Sequence, residues 1–258
     1  MLPADRVEQR KIAACLGSLD DWIGAEAAKL DALRSHKKGL MQQLFPRPGE
    51  SRPRMRFADF HNAGEWEEKP LGDIFETMTG GTPERTVKEY WNGSIPWVTT
   101  SLVDFNTIDQ AKEFITEAGL ANSSAKLFPK NTILMALYGQ GKTRGKVALL
   151  GIEATTNQAC AAILPRDDFN TSFTFLSLCG RYDELRSLSN SGGQENLSQG
   201  LVRALPFRYP ADPAEQQRIA ACLSSLDAVL GSQSRKVEGL KSHKKGLMQQ
   251  LFPESEGD

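Results

Sequence analysis

Apolar residues alternate at steps of four and three along the first part of the chain. They fall at Ile12, Leu16, Leu19, Ile23, Leu30, Leu33, Leu40 and Leu44, with Glu26 and Lys37 at the two intervening places. The pattern returns near the other end at Ile219, Leu223, Leu226, Leu230, Val237, Leu240, Leu247 and Leu251, with Gln233 and Lys244 at the polar places. A heptad seam sustained this long predicts a coiled-coil helix. Asp5 with Glu8, and Asp212 with Glu215, have the spacing of an N-cap and its capping-box partner. Pro46 and Pro253 follow the last apolar residue and end each helix. About forty residues at 1.5 Å rise make a rod of roughly 60 Å.

The two stretches are copies. Pro3–Pro46 aligns with Pro210–Pro253 without a gap, and both contain SHKKGLMQQLFP. Two copies are too few for a solenoid and read as equivalent pieces framing something different. One such helix cannot cover its own stripe, but two of nearly the same sequence cover each other. The first helix runs into the intervening segment and the second leaves it. The ends of a domain tend to lie close together, so the pair is expected to be antiparallel. Leu16, Leu19, Ile23, Leu33, Leu40 and Leu44, with Leu223, Leu226, Leu230, Leu240, Leu247 and Leu251, are the expected partner-binding seam and helix ends. Glu26 with Lys37, or Gln233 with Lys244, either sets the register or forms a solvated break.

Between the helices the period changes. Arg47–Arg56 is a proline-rich basic linker. Ser94–Ser101, Thr132–Gly139, Lys146–Ile152 and Ala159–Pro165 are short apolar runs bounded by Gly, Asn and Pro, as strands are. Leu71–Thr77 and Thr174–Leu188 read as helical. The fold class is therefore α+β: one mixed domain over 47–207, flanked by an antiparallel coiled coil of 1–46 and 208–258.

Composition narrows the function. The 258 residues are 40% hydrophobic and 24% charged, with net charge −1 and a pI near 6.4. The whole molecule is no polycation, although a local basic face is compatible with these figures. No apolar run is long enough to span a membrane and the start lacks the apolar core of a signal peptide; with cysteines that read as reduced thiols, a cytoplasmic protein is expected. Cys15, Cys160, Cys179 and Cys222 have no metal-ligand spacing and read as buried thiols. His36, His61 and His243 neighbour no nucleophile, so no catalytic residue, metal or cofactor is expected. Ala136–Thr143 fits a relaxed phosphate-binding loop, which would require a helix directly after Lys142-Thr143; RGKVALLGI reads instead as a strand.

Glu67–Val103, with GGTP, YWNG and IPWVT, resembles the opening of a target recognition domain of a type I restriction–modification specificity subunit. Ile115–Leu137, GKVALL, Ala154–Ile163 and LPFRYPADPAEQQRIA continue that resemblance. It implies a protein that reads double-stranded DNA and docks methyltransferase subunits, and in some complexes restriction (endonuclease/translocase) subunits, with no chemistry of its own. Full-length members resemble two recognition domains and two long helices with pseudo-twofold symmetry. This chain has one recognition domain between two helices and resembles the C-terminal half. A homodimer, or pairing with a separately encoded first half, would supply the other. A split DNA site with two similar halves explains why a similar helix serves each. A coiled-coil scaffold whose middle domain binds protein remains the alternative.

Candidate DNA contacts follow from residue chemistry. In YGQGKTRGK, Lys142, Arg144 and Lys146 supply phosphate-binding charge, and Arg144 can also pair with a guanine edge. Gln140 has the amide that reads adenine, and Tyr138 and Thr143 belong to the same loop. Gln194 and Asn196 offer the same amide chemistry from SNSGGQENLSQG. Thr99, Thr100 and Ser101 follow the IPWV strand. Trp91 and Trp97 are expected in the core. Acidic side chains slightly outnumber basic ones in the recognition domain, so the methyltransferase partner is expected to supply much of the phosphate contact.

Overall fold

The computed structural model describes residues 5–139, 142–188 and 196–252. Its chain divides into two compact units, one of residues 1–42 with 221–258 and one of residues 43–220.

The first unit is built from most of two helices of 39 residues each, α1 (Arg6–Leu44) and α7 (Pro213–Leu251), the end of α1 and the start of α7 belonging to the second unit. Each begins at its aspartate. Asp5 Oδ1 accepts the Val7 N–H at 2.8 Å, and Asp212 Oδ1 accepts the Ala214 N–H at 2.9 Å. Every seam position named from the heptad is buried or half-buried. Lys37 Nζ meets Asp227 at 2.5 Å, and Lys244 Nζ meets Asp20 at 2.5 Å. Between these bridges Gln233 Nε2 donates to the Glu26 carboxylate at 2.6 Å and to its carbonyl at 3.0 Å. Residue numbers rise on one helix as they fall on the other, so the pair is antiparallel.

The repeat equates Lys37 with Lys244, Asp20 with Asp227, and Glu26 with Gln233. The two Lys–Asp bridges are thus mates under a local twofold, and Glu26 faces Gln233 on the axis. The polar seam residues are neither solvated breaks nor paired within a helix; each finds a partner across the pair. Lys236, then Gln233, then the Trp22 indole hold the Glu26 carboxyl down to about 2.

Among the described residues the second unit holds three sheets. Two strands pair antiparallel at its entry and exit, β1 (Glu67–Pro70) and β11 (Pro206–Tyr209). A five-stranded sheet has the order β2 (Thr77–Thr79), β10 (Cys160–Ile163), β7 (Ile133–Ala136), β8 (Val147–Leu150) and β4 (Thr107–Ile108). A four-stranded sheet has the order β5 (Glu113–Ile115), β3 (Trp91–Val98), β9 (Ala154–Thr156) and β6 (Leu127–Phe128). Short helices α2 (Leu71–Ile74), α3 (Glu117–Ala121), α4 (Thr171–Gly180), α5 (Tyr182–Leu188) and α6 (Gln199–Ala204) fill the connections.

β7 and β10 are buried at every residue, which is why ILMA and CAAI read as continuous apolar runs without alternation. Val98, Phe128, Leu134, Leu150, Ala154 and Cys160 share one core. Burial pushes the Cys160 thiol up to about 12, so it is inert as a nucleophile. Cys15 departs from expectation, being exposed on α1.

The helix expected over Leu71–Thr77 stops at Ile74, because Thr77–Thr79 is drawn into pairing with β10. Thr174–Leu188 is split into α4 and α5 at Gly180–Arg181. β3 ends at Val98, and Thr100–Leu102 winds into a short 3-10 turn. The Arg47–Arg56 segment is no loose linker. The Arg56 guanidinium grips both oxygens of Glu215, at 2.7 and 2.6 Å, with side chains only 10% and 1% exposed. Arg56 also donates to the carbonyls of Ala63 and Gly64. Glu215 is thereby diverted from the capping-box role its spacing suggested.

Candidate nucleic-acid interface

The strand ends of the second unit converge along one edge. β7 leaves the sheet at Leu137, whose N–H donates to the Ala159 carbonyl at 2.8 Å just before β10 begins. β2 exits beside it, with the Gly81 N–H donating to the Thr156 carbonyl at 2.8 Å. β3 and β9 run parallel and finish together, the Asn157 N–H donating to the Val98 carbonyl at 3.0 Å. β4 and β8 start there, tied by the Phe105 N–H to the Val147 carbonyl at 2.8 Å. The Leu197 N–H reaches the Leu137 carbonyl at 3.0 Å. Segments 80–82, 99–106, 137–139, 142–146, 157–159 and 196–197 therefore border one another, although they are scattered through the chain.

Most of the residues singled out above lie on this edge. Tyr138 and Lys142 are exposed, Thr143 and Arg144 half-buried, and Asn196 exposed. Thr99 Oγ1 and Ser101 Oγ lie 2.7 Å apart, with half-buried Thr100 between them. Gln140 and Gln194 fall outside the described residues. Lys146 is balanced by Asp104 at 2.5 Å, so its charge is less available to an outside anion than that of exposed Lys142.

The β7–β8 loop has its own scaffold. The Lys146 N–H donates to the Thr143 carbonyl and the Gly145 N–H to the Ala136 carbonyl, with Gly145 at φ +82°. That left-handed turn suits glycine. Tyr182 Oη donates to the Lys142 carbonyl at 2.5 Å, and Arg186 donates to Tyr182 Oη at 2.9 Å. The Tyr182 ring meets Phe105 edge-on at 5.2 Å, and Lys146 Nζ lies 5.8 Å from the Phe105 ring. α5 thus props the loop from behind. Nothing in the local sequence of Tyr182 or Phe105 announced this, because the contact joins segments far apart in the chain.

Within the bordering segments stand three basic residues, Lys142, Arg144 and Lys146, against one acidic residue, Asp104. The edge is thus locally positive in a unit that is not. Hydroxyls, amides and cations on strand-end loops can contact phosphates and base edges. The phosphate-loop reading of Ala136–Thr143 fails on topology: strand β8, not a helix, follows Lys142-Thr143. Among the described residues no cluster of His, Cys, Asp or Glu is placed to hold a metal ion, and no helix is long and apolar enough to cross a membrane.

The GGTP–YWNG–IPWVT string, by contrast, is largely architectural. Trp97 is buried, and its indole donates to the Gly81 carbonyl at 3.0 Å. Trp91 packs edge-on against it at 5.1 Å, and the Arg85 guanidinium lies 3.8 and 4.7 Å from the two ring centroids. Asn92 takes φ +61° where β3 shifts register against β5 between Trp91 and Ile95.

The chain joins a mixed α+β module, whose polar loops share one sheet end, to an antiparallel helix pair. The type I restriction modification DNA specificity domain matches residues 63–241, and the chain belongs to that family. It is 30% identical over 182 residues to the type I restriction enzyme MjaIX specificity subunit of Methanocaldococcus jannaschii, covering 69% of this chain and 41% of that protein. It is 33% identical over 175 residues to the EcoR124I/EcoR124II specificity subunit of Escherichia coli, covering 66% of this chain and 43% of that one. The fold is shared with the crystal structure of a type I restriction–modification S subunit from M. genitalium. That likeness has a TM-score of 0.65 at 18% identity, over 97% of this chain and 62% of the other. The chain spans less than half the length of these curated relatives.

Proposed function

We propose that this chain is a DNA-recognition component of a type I restriction–modification complex. It reads one half of a split site through the sheet edge and contributes no chemistry itself. The observation that carries this reading is the convergence of Thr99–Ser101, Tyr138, Lys142–Lys146 and Asn196 on one edge that is basic within a nearly neutral unit. The specificity subunits among its relatives support the same assignment. The helix pair offers two symmetry-related ends, at the KKG–LMQQLF segments, to two copies of a methyltransferase subunit; restriction subunits join through that assembly. A second copy of the chain, or a separately encoded first half, completes a bipartite reader. The work is done on cellular DNA in the cytoplasm.

Methylome sequencing of cells expressing the chain with a type I methyltransferase subunit tests this. The expected result is a new methylated motif that disappears when Lys142 and Arg144 are both replaced by Ala. A palindromic motif would indicate paired copies of this chain, since a twofold dimer reads two identical half-sites. Unchanged methylation in the double variant would remove the edge from DNA recognition.

A further inference from the structure

Gln158 occupies the middle of the converging edge and was not among the residues that the sequence suggested. It is the first central residue of a tight turn closed by the Cys160 N–H donating to the Asn157 carbonyl at 3.2 Å. The turn is pinned from three directions: Asn157 to the end of β3, Ala159 to the end of β7, and the Cys160 carbonyl to the Gly80 N–H at 3.4 Å. A rigid backbone is what a base-reading group requires.

The side chain itself is exposed and, among the described residues, makes one polar contact, Thr82 Oγ1 donating to Gln158 Oε1 at 2.5 Å. A primary amide carries two acceptor sites on oxygen and two donors on nitrogen. Thr82 uses one acceptor site and fixes the amide's direction. An acceptor and a donor remain side by side, the pair that complements the N6–H and N7 of adenine in the major groove. Neighbouring Tyr138 and Thr99–Ser101 are uncharged, so the centre of the edge suits a base, while Lys142 suits the phosphate flank.

We propose that Gln158 reads a base edge, with adenine its complementary base, and that Thr82 is the residue positioning its amide. This deepens the DNA-reading assignment and rests on it. The test is selection from a pool of duplexes with a randomised central segment, using the full chain bound to a methyltransferase subunit. Wild type, Gln158→Leu, Gln158→Glu and Thr82→Val are compared, each first shown by thermal melting to fold as wild type does. Wild type is expected to enrich one motif. Gln158→Leu should relax a single adenine position of that motif on the order of 10- to 100-fold, the range for one bidentate pair. Gln158→Glu should turn that position toward cytosine, whose N4–H donates to a carboxylate. Thr82→Val should weaken the same position alone. An unchanged motif in the Gln158 variants overturns the proposal, as does an even loss of affinity across all sequences, which would mark a phosphate contact. No motif from wild type would instead overturn the DNA-reading assignment itself.

Discussion

Gly80 and Gly81 have no space for a side chain. A Cβ on Gly80 would lie 2.1 Å from the Thr156 carbonyl oxygen, and one on Gly81 would lie 2.3 Å from the backbone of Ser124. These neighbours are main chain and cannot swing aside. Gly81→Ala is therefore expected to lower unfolding free energy by about 1–3 kcal/mol, the usual cost of overpacking, with the shift read from the midpoint of urea denaturation. Single residues were only partly legible beforehand. The glycine pair was visible as part of a motif, but its purpose depends on Thr156 and Ser124, far along the chain. Trp97 was legible as core, whereas Trp91, expected there too, is half-buried and packs against that core from its margin. Gln158 and Tyr182 were not legible, since their surroundings exist only once distant strands pair.

At the scale of elements, the heptad was readable to the residue. Every named seam position is covered, because the 3.5-residue period depends on local geometry alone. The polar seam partners escaped that logic. Lys37 pairs with Asp227 and Lys244 with Asp20, and neither aspartate lies in the seam. These half-exposed bridges each contribute at most about 1 kcal/mol, so they favour one register more than they add stability. Glu26 is the sharper probe. Its folded carboxyl titrates at about 2, below the ordinary value of 4.5. The unfolded chain therefore binds the extra proton first. The contribution of Glu26 is complete above pH 4.5 and is lost as pH falls toward 2. Melts followed by helical circular dichroism should show stability declining across that window, and Glu26→Gln should flatten the decline. An equal slope in the variant would mean that the Glu26–Gln233–Lys236 cluster does not couple to folding.

For the whole molecule, net charge gave little guidance: a chain at −1 overall carries an edge whose segments hold three cations and one carboxylate, Asp104. The class was legible from motif strings, yet those strings mostly build the fold. The edge emerges from topology, parallel β3–β9 and β4–β8 pairings among antiparallel neighbours, and pairing order is a long-range property that local patterns do not encode. In the proposed function, duplex DNA lies against this edge. Hydrogen–deuterium exchange on the complex of the chain with a methyltransferase subunit, with and without a duplex carrying the selected motif, tests it most directly. Protection should concentrate in residues 80–82, 99–106, 137–146 and 157–159. Protection centred on α4 or on the β1–β11 pair, with those four segments unchanged, would contradict it.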